Sequence, residues 1–183
     1  MRGEIEARSG NLDAARAEAE RITESGGHGL ERAHERAARF LRGFIASVEG
    51  HHEKAVEEFE ATIGLLPKDI PYLDSHPNSI GALASLHAAF LYTAAVENEK
   101  AGRPDAALGL YLKLLALNGG RLQHPDLFAL SHYAVGRMRQ SQGDFEVARE
   151  SLTRFLGLWE NADPGLPEVA DAKKRLAALA LTN

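Results

Sequence analysis

Residues 43–67 read GFIASVEGHHEKAVEEFEATIGLLP, and their spacing decides the fold. Gly43, Gly50, Ala55, Phe59 and Pro67 follow one another at steps of seven, five, four and eight residues. Each step has a physical reason. A glycine inside a helix costs up to about 1 kcal/mol relative to alanine, a cost tolerated where a second helix must come close. The second glycine ends that helix in a left-handed cap. The alanine lies in the next helix and faces back across the tight turn, where a larger side chain would push the pair apart. The aromatic one turn further on fills the space between successive pairs, and the proline stops the second helix. The unit is a helix–turn–helix hairpin.

The ladder recurs as Gly136, Gly143, Ala148 and Leu152, with Pro164 later, and more weakly as Ala95, Gly102, Ala107, Tyr111 and Gly119. A partial copy, Gly3, Gly10, Ala15 and Ala19, opens the chain. Helices are expected near 2–9, 12–24, 30–49, 52–65, 79–101, 104–117, 126–142, 145–160 and 167–181. Pro104, Pro125 and Pro167 suit first-turn positions. Pro67–Ser79, with three prolines, reads as a loop, as does the glycine-rich stretch Ser25–Glu31, which lacks the Lys-Ser/Thr ending of a phosphate loop. Asn118-Gly119-Gly120 reads as a helix stop. The last helix sets Lys173, Lys174 and Arg175 on one side and Leu176 and Leu179 on the other, as a cap over the preceding hairpin would.

The ladder from Gly43 to Pro67 resembles the signature of tetratricopeptide repeats (TPR), with one strong, two fair and one truncated copy covering nearly the whole chain. The tail FLGLWENADPGLPEVADAKKRLAAL, residues 155–179, is similar to the last hairpin and capping helix of many bacterial TPR proteins. The chain departs from the family in its period. Its turn glycines Gly10, Gly50, Gly102 and Gly143 lie 40, 52 and 41 residues apart, against about 34 in the standard repeat. Asn98 and Arg139 stand where the family usually has a large inward aromatic. The resemblance implies an all-α, right-handed α-solenoid of about four antiparallel helix hairpins with a C-terminal capping helix. The whole chain, 1–183, is read as one such domain, with hairpins near 1–25, 29–66, 79–118 and 126–160 and the cap at 167–181. Only Met1 and Arg2 precede Gly3. The chain is therefore expected to be a piece of a longer repeat protein, with an open N-terminal end capable of self-association.

Composition narrows the function. Hydrophobic residues make up 44%, too many for a disordered chain. The net charge of −5 argues against a nucleic-acid partner, because phosphate binding needs a basic stripe. No apolar run is long enough to insert into a membrane, and the N-terminus has no signal-peptide core. A cytoplasmic protein is expected, with the periplasm open if a targeting segment is missing from this sequence. Without cysteine there is no disulfide, thiolate metal site or thiol nucleophile. The eight histidines form no HExxH pair, and His51 and His52, being adjacent, point about 100° apart on a helix. No metal, no cofactor and no enzyme activity are expected.

In TPR arrays the first helix of each hairpin lines a concave surface, so the resemblance implies a groove. Three residues before the helix glycine or alanine stand Phe40, Tyr92 and Tyr133; one residue after it stand Phe44, Val96 and Arg137; a turn further stand Ser47, Glu99 and Gln140. Aromatic rings beside an arginine are common anchors for a peptide. The same rings could instead pack sideways between neighbouring first helices, and the sequence leaves both readings open. Chaperone adaptors of this family hold a C-terminal carboxylate with lysine and asparagine at these places; here only Arg137 could do so. The expected function is a scaffold that binds a protein or peptide segment in its groove. The alternatives are a self-assembling structural segment, or a regulatory arm of a larger protein such as a bacterial kinase.

Overall fold

A computed structural model describes residues 2–25, 31–66, 81–117, 124–160 and 165–181, with side chains from residue 87 onward in the third stretch. The Pro67–Ser79 loop, the glycines at 26, 27 and 29, and the Asn118–Gly120 stop lie outside the described residues. Nine α-helices and no strand occur among the described residues: α1 Arg2–Arg8, α2 Leu12–Glu24, α3 Glu31–Val48, α4 His52–Gly64, α5 Gly81–Lys100, α6 Pro104–Leu115, α7 Pro125–Ser141, α8 Phe145–Leu158 and α9 Pro167–Ala180. Each falls within about two residues of its expected bounds. Pro104, Pro125 and Pro167 each open a helix.

The four ladder turns are built alike. Gly10, Gly50, Gly102 and Gly143 have φ of 83°, 78°, 71° and 80°, a conformation that costs other residues about 1–2 kcal/mol. Each glycine N–H donates to the carbonyl three residues back, and the next N–H donates to the carbonyl five back. In the second turn these are Gly50 to Ser47 at 3.0 Å and His51 to Ala46 at 2.8 Å; in the fourth, Gly143 to Gln140 at 3.1 Å and Asp144 to Arg139 at 2.9 Å. This pair of bonds is the Schellman motif, which satisfies the last carbonyls of the outgoing helix while turning the chain back.

The chain divides into two compact units, Met1–Ser75 with Thr93–Ala107 and His76–Tyr92 with Leu108–Asn183. In the first, α3 and α4 run antiparallel. Phe40 lies 5.5 Å from Phe59, and a Cβ added at Gly43 would meet the Phe59 ring at 2.7 Å. α1 and α2 pack beside them through Ala7, Ala15, Ala19, Leu41 and Ile45. In the second unit α7 and α8 pair in the same way, with a Cβ at Gly136 only 2.7 Å from Leu152. Leu152, Phe155, Ala172 and Leu179 form its core, where α9 closes over the hairpin. Burying one large apolar side chain of this kind contributes about 1.5–3 kcal/mol. Arg149 donates to the carbonyl of Leu179 at 3.2 Å, occupying an acceptor at the end of α9. The ladder alanines Ala15, Ala55, Ala107 and Ala148 are fully buried.

The two kinds of helical glycine should respond oppositely to substitution. Gly136→Ala gains about 1 kcal/mol of helix propensity but must displace Leu152, and overpacking of this sort costs about 1–3 kcal/mol. A net loss of roughly 1–2 kcal/mol is expected. Gly157 of α8 has open space where a Cβ would stand, so Gly157→Ala should stabilise by about 0.5–1 kcal/mol. Urea unfolding of the two variants beside the parent protein checks both signs.

Candidate functional site

The six groove candidates divide between the units: Phe40, Phe44 and Val96 in the first, Tyr92, Tyr133 and Arg137 in the second. Phe40 is only 6% exposed. It lies between Phe59 and Phe44, whose ring is 6.5 Å away, so it serves the hairpin core. Phe44, one turn along α3, is half-buried against the α1–α3 cluster, with the Arg8 guanidinium 5.0 Å above its ring. Val96 is half-buried on α5. Tyr92 is half-buried and meets Tyr111 of α6 edge-on at 5.8 Å.

Tyr133 and Arg137 stand one turn apart on α7 and act together. The Tyr133 ring rests on Phe155 at 5.3 Å, and the Arg137 guanidinium carbon sits 5.9 Å from its centroid. Its hydroxyl donates to Asp171 of α9 at 2.8 Å. Arg175 binds the same carboxylate oxygen at 2.5 Å and donates to Gln140 of α7 at 2.8 Å. Burial, reinforced by the Asp171 carboxylate, pushes the Tyr133 phenol above its ordinary value. The Arg175 hydrogen bond, helped by Tyr133 and opposed by desolvation, holds Asp171 below its own. An aromatic ring is thus fixed at both ends and half-exposed among charged groups.

Two further features were not foreseen from the sequence. The first is Glu97 of α5, 2% exposed. Ser47 Oγ of α3 donates to it at 2.7 Å, His52 Nδ1 of α4 contacts it at 2.5 Å, and Lys100 Nζ at 3.1 Å. Burial raises the Glu97 carboxyl, and the hydrogen bonds from Ser47, His52 and Lys100, with the Lys100 charge, outweigh it, leaving Glu97 below its ordinary value. The signal lay in the ladder. Two residues after the helix glycine or alanine stand Ile45, Glu97 and Met138, all buried; a charge in a slot otherwise apolar announces a buried ion. The second feature is a cavity of about 280 Å³ in the first unit, whose lining includes Ile22, Phe40, Leu41 and Phe44 together with Glu18 and Arg21.

Among the described residues no cluster of three or more histidines and carboxylates could hold a metal ion, and no helix is long and apolar enough to cross a membrane. No protein-family model matches the chain, and no curated protein matches it.

The Glu97 cluster sets two expectations. The folded carboxyl lies below the ordinary value of 4.5, so its contribution to stability is complete above that pH and is lost as pH falls through the folded value. Glu97→Met should reduce the loss of stability below about pH 4.5. At neutral pH it should be nearly neutral, because the slot suits an apolar residue and two of the donors left behind reach water: the side chains of His52 and Lys100 are 36% and 46% exposed. His52→Ala, which withdraws a donor from a buried acid, should cost about 1–3 kcal/mol. Urea titrations at pH 7 and pH 4 read all three effects.

Proposed function

We propose that this protein is a TPR-like scaffold, its hairpins stacked as a right-handed solenoid, and that it acts by binding a protein or peptide segment rather than by catalysis. The repeated Schellman turns and the glycine-to-large-residue contacts in the α3–α4 and α7–α8 hairpins support the repeat reading. The observation that carries the binding reading is the Tyr133–Arg137 pair. Tyr133 is held by Phe155 below and Asp171 at its hydroxyl, so a ligand meets a ring already in place. A preorganised aromatic offers contact area at low entropy cost. Arg137 beside it offers planar donors suited to a carboxylate or to backbone carbonyls. Gln140, Asp171 and Arg175 add polar groups of both signs, which suits a mixed polypeptide better than an apolar small molecule. The net charge of −5 remains unfavourable for nucleic acid.

The test recovers partners with the wild-type protein and measures the affinity of each for Arg137→Glu and for a control, Glu57→Lys on the exposed side of α4. Arg137→Glu should weaken binding at least about tenfold, the scale of an anchor residue, measured on protein shown to be folded by thermal melt. The control should bind as wild type. Tyr133→Ala should lose both binding and stability, because its ring also covers Phe155. A folded Arg137→Glu protein with undiminished affinity for every partner would overturn the reading.

A further inference from the structure

Another cavity of the first unit, about 230 Å³, is lined by residues of α2, α3 and α4. Its charged residues are Arg16 and Glu20 of α2, Arg42 of α3, Glu49 of the turn that follows, and Lys54 of α4. They are not equally committed. Arg16 is taken twice, by Asp13 at 2.7 Å and by Glu49. The neighbouring arginines also bind carboxylates, Arg21 that of Glu18 and Arg39 those of Glu35 and Glu58. Arg42 differs from them. Among the described residues its side chain donates only to Thr23 Oγ1 of α2, at 3.0 Å. The Thr23 hydroxyl in turn donates to the carbonyl of Ala19 at 2.9 Å, so it meets the guanidinium as an acceptor. Arg42 is thus held in place by a neutral group, and its charge is not cancelled. No described residue binds the side chain of Lys54 or of Glu20.

Within this lining Arg16 and Glu49 neutralise each other. Two cations and one anion remain, an excess of positive charge on a chain whose total is −5. A guanidinium that is already fixed loses little freedom when it takes a further partner, and its donors form the fork that a carboxylate matches. The rest of the lining is apolar, from Ala19, Ile45 and Ala46. An aspartate or glutamate side chain, with a short aliphatic stem and a terminal carboxylate, complements both parts.

We propose that this cavity docks an acidic segment of a partner protein, which sets one carboxylate on Arg42 and another on Lys54. The inference rests on the protein-binding reading but uses a surface in the other unit from Tyr133 and Arg137, so either can fail without the other. The probe is a hexaglutamate peptide, with hexaglutamine as its control, titrated into ¹⁵N-labelled protein at low salt. Saturable shift changes centred on Ala19, Ile45 and Ala46 are expected with hexaglutamate alone. Arg42→Gln and Lys54→Gln, each checked for folding by thermal melt, should weaken binding about two- to fivefold, the scale of one exposed ion pair. Glu20→Gln, which removes the uncompensated acid, should strengthen it, a sign that damage to the fold does not produce. Three results would overturn the proposal. One is no shift change at these residues up to about 5 mM peptide, an affinity too weak for a docking site. The second is an affinity indifferent to both Arg42→Gln and Lys54→Gln. The third is an oligothymidylate of equal charge that binds more tightly at the same residues, which would assign the cavity to a phosphate chain.

Discussion

A three-residue turn closed by a left-handed glycine forces the two helices it joins to begin almost in contact. Everything near such a turn must then be small on at least one side. Gly43 faces the Phe59 ring, and Gly136 faces Leu152; in each hairpin one helix gives up its side chain so that the other can keep a large one. Ala55 and Ala148, a turn nearer the bend, leave no exposed surface at all. The first hairpin differs. Ala19 is too small to cover Gly3, and the atoms nearest a Cβ built there belong to Leu41 of α3, with Glu18 also within reach. Space left by a small residue within one pair is taken up by the next helix, which ties α1 and α2 to α3.

Against that apolar scheme Glu97 is an exception with a cost. Removing a carboxylate from water costs several kcal/mol before any partner is counted, and the acid remains ionised only because Ser47, His52 and Lys100 surround it. Two of these donors come from either side of one tight turn: Ser47 near the end of α3, and His52 as the first residue of α4. Isoleucine or methionine, which hold the same slot elsewhere, would accept many apolar neighbours. A buried carboxylate accepts only a surface that presents donors at the right spacing. The turn at Gly50 sets that spacing, so a backbone constraint within a hairpin also determines which side chains can meet α5.

Much of the architecture was legible because its signals are backbone signals. Glycine, proline and small residues at fixed intervals gave the helices, their ends and the buried alanines, all of which depend on chain geometry more than on context. The aromatic row was not decidable in the same way. Phe40 and Tyr133 hold equivalent ladder places, yet one is core and the other half-exposed, and the difference comes from residues far away in sequence. Phe40 has the large Phe59 and Phe44 rings around it and nothing polar to satisfy. Tyr133 has a hydroxyl, which donates to Asp171, 38 residues later. Glu97 was readable in principle from the ladder register. The register alone could not reveal the three donors, which three different helices contribute.

One slot, three residues before the ladder glycine, therefore meets different fates in hairpins built to the same plan. In the α3–α4 hairpin it completes the core. In the α7–α8 hairpin it becomes a half-buried ring with a fixed hydroxyl, because α9 does two things at once: Leu179 and Ala172 seal the hairpin, while Asp171, bound by Arg175, accepts from the tyrosine. The backbone ladder stays constant in both cases, and the surroundings of one position change. The surroundings of that slot can thus differ between hairpins without disturbing what holds each together, because the residues that set helix spacing are the glycines and alanines of the ladder and not the ring three residues before them.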